Sequence, residues 1–221
     1  MSKKVDLLAR ISLLCLALPA GVSAQSVLPA VIDDADRPRV RAIETNEPIR
    51  IDGRLTESIW SGPALGGFIQ AEPREGQPAS EETEVWVAYD GDNLYIAAYL
   101  HDSEEPVVND IRKDFSESSQ DVFQVILDTF RDRRSGYVFQ TNPEGARGDR
   151  QIANEGREIN SSWDAIWHVE TQHVADGWTL EMEIPFRALR FEPGSDTWGI
   201  NFGRNLRRNN EVSYWAPIPR A

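Results

Sequence analysis

The run from Asp121 to Asn142 constrains this chain more than any other. Asp121 to Phe130 reads Asp-Val-Phe-Gln-Val-Ile-Leu-Asp-Thr-Phe, Arg131 to Gly136 is short and charged, and Tyr137 to Asn142 reads Tyr-Val-Phe-Gln-Thr-Asn. Two stretches rich in β-branched and aromatic residues, joined by a polar turn that closes on a glycine, predict a β-hairpin. With a period of two, Phe123, Val125 and Leu127 share one face with an apolar character, and Val122, Gln124, Ile126 and Asp128 share the other. Tyr137, Phe139 and Thr141 likewise oppose Val138, Gln140 and Asn142. One greasy side and one side carrying amides suit a sheet packed on a core and open to solvent or ligand behind.

The rest of the chain repeats the theme. Short alternating strands are expected at Val40–Ile43 and Ile49–Ile51, followed by a brief helix over Glu57–Trp60 capped by Thr56. The segment 61–80 is rich in Gly and Pro and reads as loop, with at most a small strand around Phe68-Ile69. Glu82–Asp90 and Asn93–His101 form a hairpin across Gly91-Asp92, with apolar residues on both faces and hence a central position. Residues 102–120 and 143–162 read as polar loops. Trp163–Val174 and Trp178–Ile184 pair around Asp176-Gly177, with Trp178, Leu180, Met182 and Ile184 facing in and Thr179, Glu181 and Glu183 facing out. A single helical turn starts at Pro185, and Trp198–Leu206 and Val212–Trp215 are the last strands. About nine or ten strands with no long amphipathic helix mean an all-β fold, an antiparallel two-sheet β-sandwich of jelly-roll-like form, before a closed barrel.

Residues 1–24 stand apart. Lys3, Lys4 and Arg10 precede an apolar run from Ile11 to Leu18, and the segment ends in small residues at Ala24. This is the pattern of a secretory signal peptide, and the run is too short to cross a bilayer. Residues 25–38 read as a flexible lead-in, and 39–221 as one domain. The only cysteine, Cys15, lies in the leader, so no disulfide is expected in the exported chain. The net charge of −13 argues against nucleic acid and anionic lipid as partners. Export places the domain in the periplasm, at the outer membrane or outside the cell.

The chemistry-bearing residues favour binding over turnover. The three histidines, His101, His168 and His173, lie in no nucleophile motif. Glu181 and Glu183 point the same way, roughly 7 Å apart along a strand, and read best as the outward face of an amphipathic strand. No catalytic constellation emerges. Asp90-Gly-Asp-Asn93 matches half of a calcium loop, and Asp102, Glu104, Glu105, Asp110 and Asp114 offer oxygens for a structural Ca2+ without a defined ligand set. Seven tryptophans and five tyrosines suit sugars, whose C–H faces lie on aromatic planes while their hydroxyls meet amides and charged groups. Trp163-Asp-Ala-Ile-Trp167 would put both indoles on one face if extended; Ala165 and Val169 share that face, which favours a core position for Trp167. Gln124, Gln140, Asn142 and Asp128 could form a hydrogen-bonding floor, or an ordinary solvated sheet face.

Taken together, these pieces resemble the family 9 carbohydrate-binding modules, in the version found at the start of exported bacterial proteins with a carboxy-terminal outer-membrane β-barrel region. The matching residues are Ile51-Asp-Gly53 with Trp60, Thr83–Asp90, Leu94-Tyr-Ile96, Asp121, Leu127–Phe130, Asp132-Arg-Arg134, Gly136-Tyr137, Phe139, Asn142-Pro143 and Gly145. They continue through Trp163–Trp167, Asp176-Gly-Trp178, Glu183–Phe186, Leu189-Arg-Phe191 and Trp198–Asn201. The resemblance spans residues 40 to 215. It implies a β-sandwich that grips a xylan- or glucan-type poly- or oligosaccharide between aromatic side chains without turnover, often with structural calcium, as an accessory to glycoside hydrolases. By position it implies Trp163 or Trp167 as an aromatic wall, Arg112 and Asn142 as polar contacts, and Gln140 and Asp164 beside them. Two other readings stay open: a structural domain packed on a β-barrel in the same longer chain, and a haem-b sandwich using Met182 and Lys113, against which the apolar neighbours Leu180 and Ile184 make Met182 a core residue.

Overall fold

The computed structural model describes residues 37–218; the leader read at 1–24 and nearly all of the lead-in lie outside them. Among the described residues the strands are β1 (Ile43–Glu44), β2 (Ile69–Glu72), β3 (Thr83–Tyr89), β4 (Asn93–His101), β5 (Val122–Asp128), β6 (Gly136–Thr141), β7 (Arg147–Ala153), β8 (Glu158–Asn160), β9 (His168–Val174), β10 (Gly177–Pro185), β11 (Gly199–Leu206) and β12 (Glu211–Tyr214). They form a five-stranded sheet in the order β1-β3-β4-β10-β9 and a seven-stranded sheet in the order β2-β12-β11-β5-β6-β7-β8. Every pairing is antiparallel except β1 on β3. The all-β sandwich expected from the alternation is the fold.

The core lies between the sheets. Phe123, Val125 and Leu127 of β5, Tyr137 and Phe139 of β6 and Phe202 of β11 meet Val85, Ile96, Leu100, Trp178, Leu180, Met182 and Ile184 from the other sheet. Each large side chain withdrawn from water contributes about 1.5–3 kcal/mol, so the inward faces of these strands are fixed in register. One cation ties the layers together. Arg204 projects from β11 into the interior and donates to Glu82 O (2.9 Å), Thr83 Oγ1 (3.1 Å), His101 O (2.7 Å) and Asp102 Oδ2 (3.3 Å). Asp102 also takes Arg208, which bonds Glu81 as well. A buried guanidinium is tolerable only when its donors are met in this way.

Several local expectations give way to tertiary packing. The segment 143–162 holds two strands, β7 and β8, that continue the large sheet from β6. Trp163–Trp167 is irregular, and regular pairing with β10 starts only at His168. Ile49–Ile51 forms no strand; with Leu55, Ile59 and Trp60 it packs on Ala88, Tyr95 and Ala97, on the outer face of the five-stranded sheet. The expected helical turn is a short 3-10 turn, Ser58–Ser61, without a side-chain cap.

That cover corrects the reading of Glu181 as an exposed residue: it is 0% exposed. Its carboxylate accepts the N–H groups of Asp52 (3.0 Å) and Gly53 (3.0 Å) at one oxygen and Trp60 Nε1 (2.9 Å) at the other. Gly53 has φ +75°, and a Cβ there would stand 2.7 Å from the backbone of Thr171, so only glycine fits. Glu57 is the neighbouring acid, with one carboxyl oxygen buried and otherwise unmatched. Burial first, then the Glu57 carboxylate, push Glu181 up to about 7, against the pull of its N–H partners.

Candidate functional site

The outward face of the seven-stranded sheet carries a single polar row. Tyr214, Gly203, Gln124, Gln140 and Gly148 are successive cross-strand partners on β12, β11, β5, β6 and β7. The alternation that sends Phe123, Val125 and Phe139 into the core sends all five outward. Two of them are glycines, and both act as slots. A Cβ on Gly203 would stand 2.9 Å from Tyr214 Cε1, so the phenol ring lies flat over that backbone, with Gln124 Cβ on the other side at 3.7 Å. A Cβ on Gly148 would stand 2.7 Å from Gln140 Nε2, so the amide lies over it. The neighbouring row on the same face is Asn201, Ile126, Val138 and Arg150.

An ion pair crosses this face. Arg150 Nη2 donates to Gln140 Oε1 (2.5 Å) and to Glu117 Oε2, and Gln124 Nε2 donates to that same oxygen (3.1 Å). Asn205 Nδ2 holds the backbone of Glu117 (3.2 Å), and Gln140 Nε2 reaches Phe115 O (3.3 Å). The loop that carries Glu117 is pinned by Gln120, whose Oε1 accepts the N–H groups of Asn109 and Asp110 (both 3.0 Å). Burial first, and then the negative charges of Glu117 and Glu72, push the Tyr214 phenol up. The amides of Gln124 and Gln140 are themselves buried (7% and 4% exposed), so the face offers to solvent the half-buried Tyr214 ring and the partly exposed, neutralised Arg150–Glu117 pair that those amides hold in place.

The residues picked out in the sequence divide between the two sides of this sheet. Gln140 belongs to the row. Trp163 packs on Tyr137 (4.9 Å between ring centroids) and on Phe139 (5.9 Å), which are inward-facing residues of β6, and it remains half-buried. Trp167 is 1% exposed, stands edge-on to Phe139 (5.2 Å) and donates to Asp149 Oδ2 (3.0 Å). Asp164 is exposed and pairs with Lys113 (2.8 Å). Arg112 is exposed and forked onto its neighbour Asp110 (2.9 and 2.7 Å). Asn142 is buried, donates to Asp110 O (2.8 Å) and accepts the N–H groups of Glu144 (3.1 Å) and Ala146 (3.0 Å), so its amide shapes a turn. The Trp163–Trp167 stretch and Gln140 thus lie behind opposite faces of β6. Tyr214, Glu117 and Arg150 escaped the sequence reading; a glycine inside the β11 pattern was the one sign that a side chain lies close there.

Two hollows open elsewhere. The larger, about 700 Å3, sits at one end of the sandwich beside Phe186, Phe191 and Trp198, with Arg41 and Asp196 at its rim. Its three rings pack on one another at 5.3–6.4 Å. The other, about 470 Å3, lies by Phe130, Tyr137 and Ile159. Of the carboxylates considered for calcium, Asp102 faces Arg204 and Arg208, Asp110 faces Arg112 and Asp114 faces Lys113. Asp90 closes its hairpin turn by accepting from Asp92, Asn93 and Tyr95. Among the described residues no group of three or more His, Cys, Asp or Glu side chains is arranged to hold a metal ion. Met182 is sealed in the core and Lys113 lies at the surface among carboxylates.

Solved structures share this architecture. A family 9 carbohydrate-binding module from Caldicellulosiruptor kristjanssonii in complex with cellotriose is 19% identical, with a TM-score of 0.53 over 78% of this chain and 80% of that one. A family 9 module from the same organism in complex with glucose is 17% identical, with a TM-score of 0.54 over 82% of this chain and 96% of that one. A third structure, from Bacteroides uniformis, is 15% identical, with a TM-score of 0.55 over 71% of this chain and 79% of that one. No family model and no curated protein matches the chain. The fold is that of a family 9 carbohydrate-binding module.

Proposed function

We propose that this chain is a non-catalytic carbohydrate-binding module that holds a glucan- or xylan-type oligosaccharide on the outward face of its seven-stranded sheet. The observation that carries the reading is the row Tyr214, Gly203, Gln124, Gln140 and Gly148. A pyranose ring set on the half-buried Tyr214 ring would meet with its hydroxyls the partly exposed Arg150 and Glu117 side chains, which the buried Gln124 and Gln140 amides hold in place. The neighbours with cellotriose and glucose bound support the ligand class. One aromatic stack contributes about 0.5–1.5 kcal/mol, so affinities from about millimolar to micromolar are expected. An accessory role in polysaccharide breakdown or uptake outside the cytoplasm is the setting we infer from the leader at residues 1–24.

Calorimetry with xylo- and gluco-oligosaccharides tests this. Heat that survives in Trp163→Ala and Trp198→Ala but vanishes in Tyr214→Ala and Gln124→Ala is the expected result. Loss in Trp198→Ala alone would move the site to the 700 Å3 hollow, and no heat with any sugar would remove the reading.

A further inference from the structure

We infer that Glu117 makes this face selective for neutral over carboxylate-bearing sugars, by holding Arg150 in an internal ion pair. The inference rests on the sugar-binding reading of the face and specifies its ligand class.

A lone guanidinium beside two amides would be a natural uronate site, because its fork matches a carboxylate. Here one arm of the fork, Nη2, is already engaged. Arg150 Nη2 is shared between Gln140 Oε1 and Glu117 Oε2, and Gln124 donates to that same Glu117 oxygen. The pair is partly shielded, with the Arg150 side chain 21% and the Glu117 side chain 38% exposed. Glu72, at the register position beside Val212 on the same sheet, adds negative charge to the field that Tyr214 feels. The charged groups acting there are thus two carboxylates and one guanidinium, on a chain of net charge −13. An incoming carboxylate must either displace Glu117 from Nη2 or take the remaining arm of a guanidinium whose charge Glu117 already neutralises, and in both cases it sits beside the Glu117 carboxylate. A neutral sugar needs neither step, since its hydroxyls can accept from Arg150 and donate to Glu117 with the pair intact.

Glu117 is suited to this by its position. Its backbone is held by Asn205 and its loop by Gln120, so its carboxylate is positioned before any ligand arrives. Glu117→Gln keeps the shape and an acceptor for Gln124 while removing the charge. Arg150 is then left with neutral amide partners and one uncompensated positive charge.

The test is calorimetry or ligand-observed NMR on wild type, Glu117→Gln and Glu117→Gln/Arg150→Gln, each with cellotriose and with its analogue oxidised to a uronate at the non-reducing end. Wild type should bind cellotriose at least about tenfold more tightly than the uronate. Glu117→Gln should raise the uronate-to-neutral ratio about tenfold, by an amount that shrinks as salt is added, and the double variant should reverse the gain. An unchanged ratio in Glu117→Gln, with cellotriose still bound, overturns the inference and leaves the sugar site standing. Absence of binding by either ligand to wild type overturns both. A circular dichroism melt equal to wild type separates these results from misfolding.

Discussion

Replacing Glu57 by Gln should weaken one segment of the pH dependence of stability and strengthen the domain at alkaline pH. Both oxygens of Glu181 already accept N–H groups, from Asp52 and Gly53 on one side and Trp60 on the other. The unmatched buried oxygen belongs to Glu57, whose other oxygen takes the N–H of Arg50 (3.3 Å). Burial first, and then the neighbouring Glu57 carboxylate, raise Glu181 from 4.5 to about 7 in the folded chain. Between those values the folded state keeps a proton that the unfolded state has released, so stability is full below about pH 4.5 and falls as pH rises through about 7. A shift of that size corresponds to about 3 kcal/mol at most. Burial is the larger cause, which leaves about 1 kcal/mol to Glu57, or roughly 2–4 °C in melting temperature for a domain of this size. Glu57→Gln keeps the shape and removes the charge beside Glu181. Differential scanning fluorimetry from pH 5 to pH 8 should show wild type losing those degrees relative to the variant. Equal losses in both proteins would refute the part played by Glu57. Glu181→Gln is the opposite control: its amide nitrogen must face either Trp60 Nε1–H or the N–H groups of Asp52 and Gly53, so it should melt lower at every pH.

Arg204→Leu should lower stability by about 3–5 kcal/mol, read from urea unfolding, because four acceptors lose their donor. Gly203→Val keeps a good strand former in β11 while driving the Tyr214 ring from its slot; melting should hold while sugar affinity drops about tenfold in calorimetry. Gly177→Ala, at φ +143° and with a Cβ that would stand 2.0 Å from Leu100 O, should push the start of β10 off β4 and cost more than about 2 kcal/mol in chemical denaturation.

What was legible in the chain followed from how locally it was encoded. The β5–β6 hairpin and its inward face could be read directly, because Phe123, Val125, Leu127, Tyr137 and Phe139 alternate without interruption and the pairing needs nothing distant. β7 was not legible: Arg-Gly-Asp-Arg-Gln-Ile-Ala has few strand formers, and its inward residue is Asp149, made acceptable by Trp167 Nε1–H and the N–H of Ala165. Glu181 was misplaced because alternation says which side of a strand a residue takes and not whether another segment covers that side; residues 49–61 do. The proposed binding face was half legible. Gln124 and Gln140 stand opposite each other in the hairpin, whereas Tyr214, Glu117 and Arg150 arrive through β11, a loop and β7, whose register no local pattern specifies.

The tie between the layers is a guanidinium. Arg204 does across the sandwich what a pair of sulfurs does in many exported domains, and thiols and oxidants do not touch it. The melting temperature of residues 37–218, which hold no cysteine, should therefore be the same with and without a reductant. The same tie is met by backbone carbonyls of β4 and of the residue before β3, so it closes only where β11 and both of those strands stand in register.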